Sequence, residues 1–208
     1  MSQNEDEEEE EETNEIKVIL IGDSGVGKTN LINKALGKRF NETENVTAAA
    51  NFSVKNMTIN GKEFKIKLWD TIGQEKYRQL TKIFFKNSKI VILVYDITNR
   101  ESFEALPNWL NDVEEQVGLN IIKGVVANKM DLFLKEKVKE NEGEEYAKSI
   151  NAKFLATSSK KDEPKIFIDF LNNLLAEYLS LYKESDKGRF TVTRKSTVKK
   201  NKNSNCCK

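Results

Sequence analysis

Short apolar runs alternate along this chain with segments in which apolar residues recur at helical spacing. The runs predict six β-strands, over residues 16–21, 52–59, 63–69, 89–95, 121–127 and 153–157. The helical spacing predicts five helices, over residues 27–36, 75–86, 101–117, 137–150 and 164–182. Nearly continuous apolar runs such as 90–95 are typical of strands buried on both faces of a parallel sheet.

A turn dipeptide changes this parallel arrangement at one edge. Asn60-Gly61 separates two alternating runs, and this dipeptide favours a two-residue hairpin. One edge strand is therefore predicted to be antiparallel. Together the elements predict an α/β fold with a doubly wound, mostly parallel six-stranded sheet, whose ligands bind at the carboxyl ends of the strands.

Charge divides the chain of 208 residues into three parts. Residues 5–12 are all acidic, whereas residues 186–208 carry many lysines and arginines and a single acid. Both ends lack apolar periodicity, so we predict an acidic disordered arm over 1–15, one globular domain over 16–183 and a basic flexible tail over 184–208. A solvated arm is the simplest interpretation of the acidic run. Contact with a basic partner, or with the basic tail, stays open as an alternative.

Composition excludes several functional classes. The chain contains no histidine, which excludes histidine general bases and histidine metal ligands. Its two cysteines, Cys206 and Cys207, are adjacent, so they cannot cross-link a core or form a zinc site. The acidic N-terminal region is unlike a secretory signal, and the longest apolar run is too short to span a bilayer. We therefore expect an intracellular protein without a transmembrane helix.

Glycines mark a phosphate-binding loop directly after the first predicted strand. The segment from Gly22 to Thr29 has the pattern G-x-x-x-x-G-K-[ST] and is followed by a predicted helix. The glycines let backbone N–H groups point at a phosphate, and the helix N-terminus adds partial positive charge. Lys28 is expected to reach the β- and γ-phosphates and the Thr29 hydroxyl to bind Mg²⁺. The predicted nucleotide contacts here are Asp23, Ser24, Gly25, Val26, Gly27, Lys28, Thr29 and Asn30.

Another predicted strand ends on a carboxylate. Asp70 follows the alternating run 63–69 in phase, so its side chain can face the phosphate loop and hold Mg²⁺, through water. Gly73 can bring its N–H to the γ-phosphate, and Gln74 can orient an attacking water. The alternative is that Asp70 or Thr71 caps the following helix. The phosphate loop favours the catalytic interpretation.

A third group of polar residues follows the run 121–127. The Asp131 carboxylate can accept two hydrogen bonds from guanine, whereas adenine would leave this charge unpaired at high cost. Asn128 can tie the segment to the phosphate loop, and the Lys129 stem can lie over the base. Further nucleotide contacts are predicted after the strand 153–157, at Ser158, Ser159 and Lys160.

These motifs make the chain resemble a small GTPase of the Ras superfamily, and most specifically the Rab family. The resemblance covers about residues 16–183. The strings that carry it are Lys17-Val-Ile-Leu-Ile-Gly-Asp-Ser-Gly-Val-Gly-Lys-Thr29, Leu68-Trp-Asp-Thr-Ile-Gly-Gln-Glu75, Val94-Tyr-Asp-Ile-Thr98, Glu101-Ser-Phe103 and the pair Cys206-Cys207. The resemblance implies a GTPase with GTP/GDP and Mg²⁺, switching between an effector-recruiting GTP state on internal membranes and a GDP state extracted to the cytosol.

The resemblance also implies roles for individual residues. It makes Gln74 the hydrolytic residue, and it identifies three magnesium ligands, Thr29, Thr47 and Asp70. Thr47 would contact Mg²⁺ and the γ-phosphate only in the GTP form. Effector contacts would be made by an exposed aromatic triad, Phe52, Trp69 and Phe84, for which simple core packing is the alternative.

Three departures from the family pattern bear on function. Thr47 is followed by Ala48 and Ala49 rather than by Ile-Gly, and Ile72 replaces the alanine that usually precedes Gly73. Both changes bear on switching and GTP hydrolysis. Ile72 either slows hydrolysis or packs beneath the second switch segment without affecting the rate. The terminal Cys-Cys pair is followed by one lysine, which is unusual for a prenylation site.

The tail predicts how the protein meets membranes. Cys206 and Cys207 are expected to carry two lipid chains, and the neighbouring lysines and arginines add attraction to an anionic leaflet. The expected partners are an exchange factor, an activating protein, effectors, and the prenylation and membrane-extraction machinery. Nucleic acid is not expected, because the basic tail lacks interleaved aromatic residues beyond Phe190. We expect location on the cytoplasmic face of intracellular membranes, with a cytosolic pool.

The predicted function is a Rab-like switch that hydrolyses GTP slowly without an activating partner and serves vesicle trafficking. Gln74 favours this function, whereas Ile72 and the altered first switch favour a second one, a GTP-binding scaffold with little hydrolysis. An ATP-dependent kinase or transporter ATPase is disfavoured by Asn128 and Asp131.

Overall fold

Six strands form one sheet, in the order β2-β3-β1-β4-β5-β6. The computed structural model describes residues 14–41, 50–71, 73 and 82–187, with side chains described up to residue 181. The strands are β1 Glu15–Ile21, β2 Asn51–Ile59, β3 Lys62–Asp70, β4 Ile90–Asp96, β5 Ile122–Asn128 and β6 Lys153–Ala156.

Helices pack on both faces of this sheet. They are α1 Lys28–Ala35, α2 Arg100–Glu104, α3 Leu106–Val117, α4 Glu140–Ser149 and α5 Pro164–Lys187. Two short 3₁₀ helices cover Lys82–Phe84 and Met130–Lys135. In the described residues, no helix has both the length and the apolar character needed to cross a bilayer.

The sheet is parallel except at the edge formed by β2. β2 and β3 make an antiparallel hairpin, and both turn residues have positive φ, 52° at Asn60 and 79° at Gly61. Asn-Gly tolerates this pair of left-handed conformations better than other dipeptides, which is why the turn forms here. The predicted fold class, a mostly parallel six-stranded α/β sheet with one antiparallel edge strand, is confirmed.

The helix boundaries differ from the sequence prediction at two places. The segment predicted as one helix over 101–117 is two helices, because Pro107 has no N–H to continue the hydrogen-bond ladder beyond Ala105. The helix predicted over 137–150 begins only at Glu140, because Lys139 is its N-cap with extended backbone, and the Lys139 N–H donates to the Glu142 carboxylate at 3.0 Å. The helix predicted over 75–86 lies mostly outside the described residues, and its last part is the 3₁₀ turn.

Alternation along β1 separates two hydrophobic cores. Val18 and Leu20 point to one face, where they pack with residues of α1 and α5. Ile19 and Ile21 point to the other, where they pack with residues of α3 such as Trp109. All four β1 side chains are fully buried, which explains why this strand lies at the centre of the sheet.

Parallel strands bring their carboxyl ends to one edge. β1 runs into the segment 22–27 there, β3 ends at Asp70, and β4 and β5 end at Asp96 and Asn128. Across the sheet, Leu20 pairs with Asp70, and Asp96 pairs with Asn128. Residues far apart in sequence therefore converge at this edge, where ligands of such sheets bind.

Candidate nucleotide-binding site

A tight loop over residues 22–27 joins β1 to α1. Gly22 and Gly27 have φ values of 137° and 100°, a region that side chains rarely adopt. A Cβ on Gly22 would lie 2.1 Å from the Val94 carbonyl oxygen, and one on Gly27 would lie 2.3 Å from Asn128 Nδ2. Only glycine permits this close approach, so the chain can curl around a small concave space at the N-terminus of α1.

Lys28 is a buried cation at the base of the loop. Its Nζ donates to the carbonyl oxygens of Gly22, at 2.7 Å, and Asp23, at 2.8 Å. Burial lowers the pKa of Lys28 to about 8, against the opposing effect of the Asp70 and Asp23 carboxylates. A phosphate would offer this ammonium the counter-charge that two neutral carbonyls lack.

Thr29 and Asp70 place two oxygens together beside Lys28. The Thr29 hydroxyl donates to Asp70 Oδ2 at 2.7 Å, so the start of α1 contacts the end of β3. Hydroxyl and carboxylate oxygens are the hard donors that Mg²⁺ prefers, and the pair therefore fits this ion. The neighbouring Thr71 hydroxyl donates to the Leu20 carbonyl at 2.7 Å, which anchors this strand end to β1.

Gly73 lies directly against the phosphate loop. A Cβ at this position would come within 2.5 Å of the Asp23 backbone and of Lys28 Nζ. This contact brings the Gly73 backbone beside Lys28, and its role as a γ-phosphate donor stays a prediction. Three other predicted residues, Thr47, Ile72 and Gln74, lie outside the described residues, and their roles stay predictions.

Asn128 connects the two halves of the site. Its side chain is fully buried; Nδ2 donates to the Val26 carbonyl at 2.8 Å, and Oδ1 accepts from the Ser159 N–H at 3.0 Å. One amide therefore joins the phosphate loop, the end of β5 and the segment after β6. A buried amide bonded at both ends holds these three segments in register.

The loops after β5 and β6 meet at Asp131. The Ser158 hydroxyl donates to an Asp131 carboxylate oxygen and accepts from the N–H groups of Lys160, at 3.2 Å, and Lys161, at 3.0 Å. Asp162 closes the same turn through 2.7 Å bonds from the Thr157 hydroxyl and the Ser158 N–H. The carboxylate is thus held at the open end of the site by hydrogen-bonded neighbours.

The ammonium of Lys129 forms an ion pair at the end of β4, and the contact of its stem with the base stays a prediction. Its Nζ pairs with the Asp96 carboxylate at 2.6 Å, while its backbone adopts a left-handed conformation with φ 67°. Lys34 completes this wall of the site, since its Nζ donates to the Ser158 and Ser159 carbonyls at 3.3 and 3.0 Å.

Sequence reasoning missed four residues that position these groups: Asp96, Trp109, Asp162 and Lys34. Asp96 carried a usable signal, because it ends a buried strand just as Asp70 does. Trp109 carried none. Its indole N–H donates to Asp23 Oδ1 at 2.8 Å across 86 residues of sequence, and only the packing of α3 beside the loop brings the two together.

The aromatic triad forms a connected surface beside the site. The Phe52 and Trp69 rings stack at 5.0 Å, and the Trp69 and Phe84 rings lie 5.6 Å apart. Phe52 is 43% exposed, and Trp69 and Phe84 are half-buried. Trp69 also packs against the core on the α3 face, so the triad lies between this core and the surface of the described structure, and its effector role stays a prediction.

Comparison with known proteins agrees with this geometry. The sequence profile of the Ras family matches residues 17–175. The chain is 36% identical to the human Ras-related protein Rab-30 over 163 residues, which cover 77% of this chain and 80% of Rab-30. It is also 36% identical to the Ras-related protein Rab-21 of Geodia cydonium over 165 residues, covering 78% of this chain and 72% of that protein.

A similar match is found with bovine Rab-21, at 36% identity over 165 residues. The matched region spans every strand after the first residues of β1 and most of α5, so it contains all the described site residues. The chain therefore belongs to the Ras family and is a Rab-type small GTPase that binds guanine nucleotide.

Proposed function

We propose that this chain is a slow GTPase switch that recruits effectors to intracellular membranes in vesicle trafficking. The observation that carries the proposal is the convergence of Lys28, the Thr29–Asp70 pair and the Asn128–Asp131 segment at one sheet edge. These groups match the parts of a nucleotide in order: phosphates at Lys28, magnesium at Thr29 and Asp70, and the base at Asp131.

Each group would act on a separate part of the nucleotide. Lys28 and the loop N–H groups would bind the phosphates, and Asp131 would accept from the guanine ring. Magnesium would be held by Thr29 and Asp70, and in the GTP form also by Thr47. When bound, the ion would neutralise phosphate charge. Gln74 would orient the attacking water, with the Gly73 N–H directed at the γ-phosphate.

Surface features support the recruiting role. The Phe52–Trp69–Phe84 triad presents aromatic area at the surface, which is typical of protein-binding sites. Its position next to Asp70 and Gly73 would let the γ-phosphate state alter the triad. An exchange factor, an activating protein and effectors are the partners that such a cycle requires. Lipidation at Cys206 and Cys207, with prenylation and membrane-extraction machinery, would link the cycle to membranes and to a cytosolic pool.

Base specificity tests the role of Asp131. The Asp131→Asn variant should lose about 10²-fold or more in GDP affinity, because each hydrogen bond to the carboxylate is worth roughly 1.5–3 kcal/mol. Xanthosine diphosphate should bind this variant better than GDP, since the xanthine C2 oxygen needs a donor. Competition binding with a fluorescent nucleotide measures both affinities.

The control for this experiment is Glu136→Gln, which removes the same charge from an exposed residue of the neighbouring turn. It should bind GDP like the wild type. Equal affinities of the wild type for GTP and ATP would contradict the guanine assignment.

The magnesium role of Thr29 is tested by two substitutions. Thr29→Asn removes the hydroxyl that contacts Asp70, so GTP affinity should fall about tenfold more than GDP affinity, because a magnesium ion held there would neutralise more phosphate charge on GTP than on GDP. Thr29→Ser keeps the hydroxyl and should preserve the GTP/GDP ratio. The ratio is measured in excess Mg²⁺ and again in chelator. An unchanged ratio in Thr29→Asn would remove Thr29 from the magnesium site.

Slow hydrolysis is tested at Ile72. Small GTPases of this type turn over at roughly 10⁻⁴ to 10⁻³ per second alone, and misplacing a reacting group by about 1 Å can cost near 10²-fold. Since Gly73 has no spare room against Asp23 and Lys28, a β-branched neighbour constrains how this segment is placed. Ile72→Ala should therefore accelerate single-turnover GTP hydrolysis. Equal hydrolysis rates in the wild type and in Ile72→Ala would mean that Ile72 packs against its neighbours without slowing hydrolysis.

Membrane attachment is tested at the terminal cysteines. Replacing Cys206 and Cys207 together with serine should move the protein to the soluble fraction of cells, and replacing one should weaken retention, since one lipid chain anchors only marginally. Cell fractionation and intact mass measure the outcome. Free thiols at both positions in cell-derived wild-type protein would refute lipidation.

A further inference from the structure

Three lysines form a row across the centre of the sheet, on the face that carries Trp69. Lys67 of β3 is the register partner of Lys17 of β1, and the Lys89 N–H donates to the Lys17 carbonyl at 3.0 Å. We call Lys67, Lys17 and Lys89 the lysine row. Neighbouring strands lie only about 4.8 Å apart, and like charges directly across a sheet are destabilising.

The surroundings of Lys17 show the effect of burial and of like-charge repulsion. Burial lowers the pKa of Lys17, and the charge of Lys67 lowers it further. The Lys17 ammonium lies 4.3 Å above the Trp69 ring and donates to the Lys86 carbonyl at 2.9 Å. An aromatic face and a carbonyl stabilise a cation only partly, so an anion placed over the row would relieve the repulsion.

The surrounding face carries an excess of positive charge. On β3, Phe64 and its alternate neighbours point into the core, so residues 63, 65 and 67 point to the outer face. The charged side chains that the strands and the turn before β4 place there are Lys17, Lys65, Lys67, Lys89, Glu15 and Glu63. Lys67 is half-buried and pairs with the Glu15 carboxylate at 2.5 Å, whereas Lys65 and Lys89 are exposed and open to solvent in the described structure.

The acidic run enters the fold at this place. The Lys65 N–H donates to the Asn14 carbonyl at 2.8 Å, so the chain that precedes β1 reaches the sheet at the foot of the lysine face. Residues 5–12 supply eight consecutive carboxylates, and the run ends two residues before Asn14. At about 3.3 Å per residue, Lys17 lies roughly 10 Å from Asn14, and the acidic run spans up to roughly 26 Å. The run therefore reaches across the whole row.

We propose that residues 5–12 bind back across the lysine row of their own chain and shield the Trp69 side of the sheet. Eight carboxylates would face the three lysines of the row and Lys65, and a short tether keeps the effective concentration high. The contact is electrostatic, so it weakens as salt shortens the Debye length from about 10 Å at 0.1 M to about 3 Å at 1 M.

A spin label in the arm of the full chain tests this contact. Cys206 and Cys207 are replaced with serine, Gln3→Cys carries a nitroxide, and the GDP-bound protein is ¹⁵N-labelled. Amides of β1 and β3 next to the lysine row should lose roughly twofold or more in peak intensity at low salt and recover at 1 M salt. A dilution series with spin-labelled protein that carries no ¹⁵N separates contact within a chain from contact between chains.

Matched variants distinguish this face from charge in general. Lys65→Gln, Lys67→Gln and Lys89→Gln together should abolish the broadening, because they remove two of the three charges of the row and the neighbouring charge of Lys65. The control removes the same number of charges from the exposed turn at the other end of the sheet, through substitution to glutamine of Lys135, Lys137 and Lys139. The control should leave the broadening unchanged. A variant with residues 5–12 changed to glutamine and asparagine should show none.

Four outcomes would overturn the proposal. Broadening of tail signals at 187–208 would mean that the arm pairs with the basic tail. Broadening between chains would mean that the row receives another copy's arm. Equal loss in both lysine variants would mean an unspecific charge effect, and no broadening at low salt would mean that the arm does not contact the fold. Each outcome leaves guanine-nucleotide binding untouched, so failure here is distinct from failure of the proposed function.

Discussion

The site depends on one buried amide. Asn128 is fully buried, donates to the phosphate loop at Val26 and accepts from the segment after β6 at Ser159. Removing either bond would leave a buried polar group unsatisfied, at a cost of roughly 1–3 kcal/mol. The two hydrogen bonds therefore fix the relative positions of the three segments. The close approach of Gly27 to this side chain shows the same constraint from the other side. The segments proposed to bind the phosphates and the base are therefore held together as one unit.

Charge within this unit is arranged for a ligand rather than for stability. Lys28 is buried against two carbonyl oxygens, and its lowered pKa reflects what burial costs an ammonium without a full counter-charge. Asp70 is held by the Thr29 hydroxyl, and Asp131 by Ser158. Groups that the fold already holds in position need no reorganisation when a charged ligand binds, which is the usual property of preorganised sites.

The outer face of β1–β3 carries aromatic residues near one end of the strands and lysines near the other. Phe52 and Trp69 pair beside Asp70, whereas Lys17 and Lys67 pair toward the start of the strands. Lys17 joins the two regions, because its ammonium lies over Trp69 while its backbone is in register with Lys67. A change at the nucleotide edge and a charge at the opposite edge can therefore both act on the same tryptophan.

The sequence by itself determined the fold class, the hairpin at Asn60-Gly61 and the phosphate loop, because these follow from periodicity, local turn chemistry and glycine spacing. It also indicated Asp70 and Asn128, since both end buried strands. The division of a helix at Pro107 was also readable from the sequence, because proline lacks the N–H that a helix interior needs. Only the tertiary structure decided that Lys129 pairs with Asp96 and that Trp109 holds Asp23. The lysine row likewise appears only once β3, β1 and β4 lie side by side. The physical reason is that strand order and helix packing set these neighbours, and neither leaves a local trace in the order of residues along the chain.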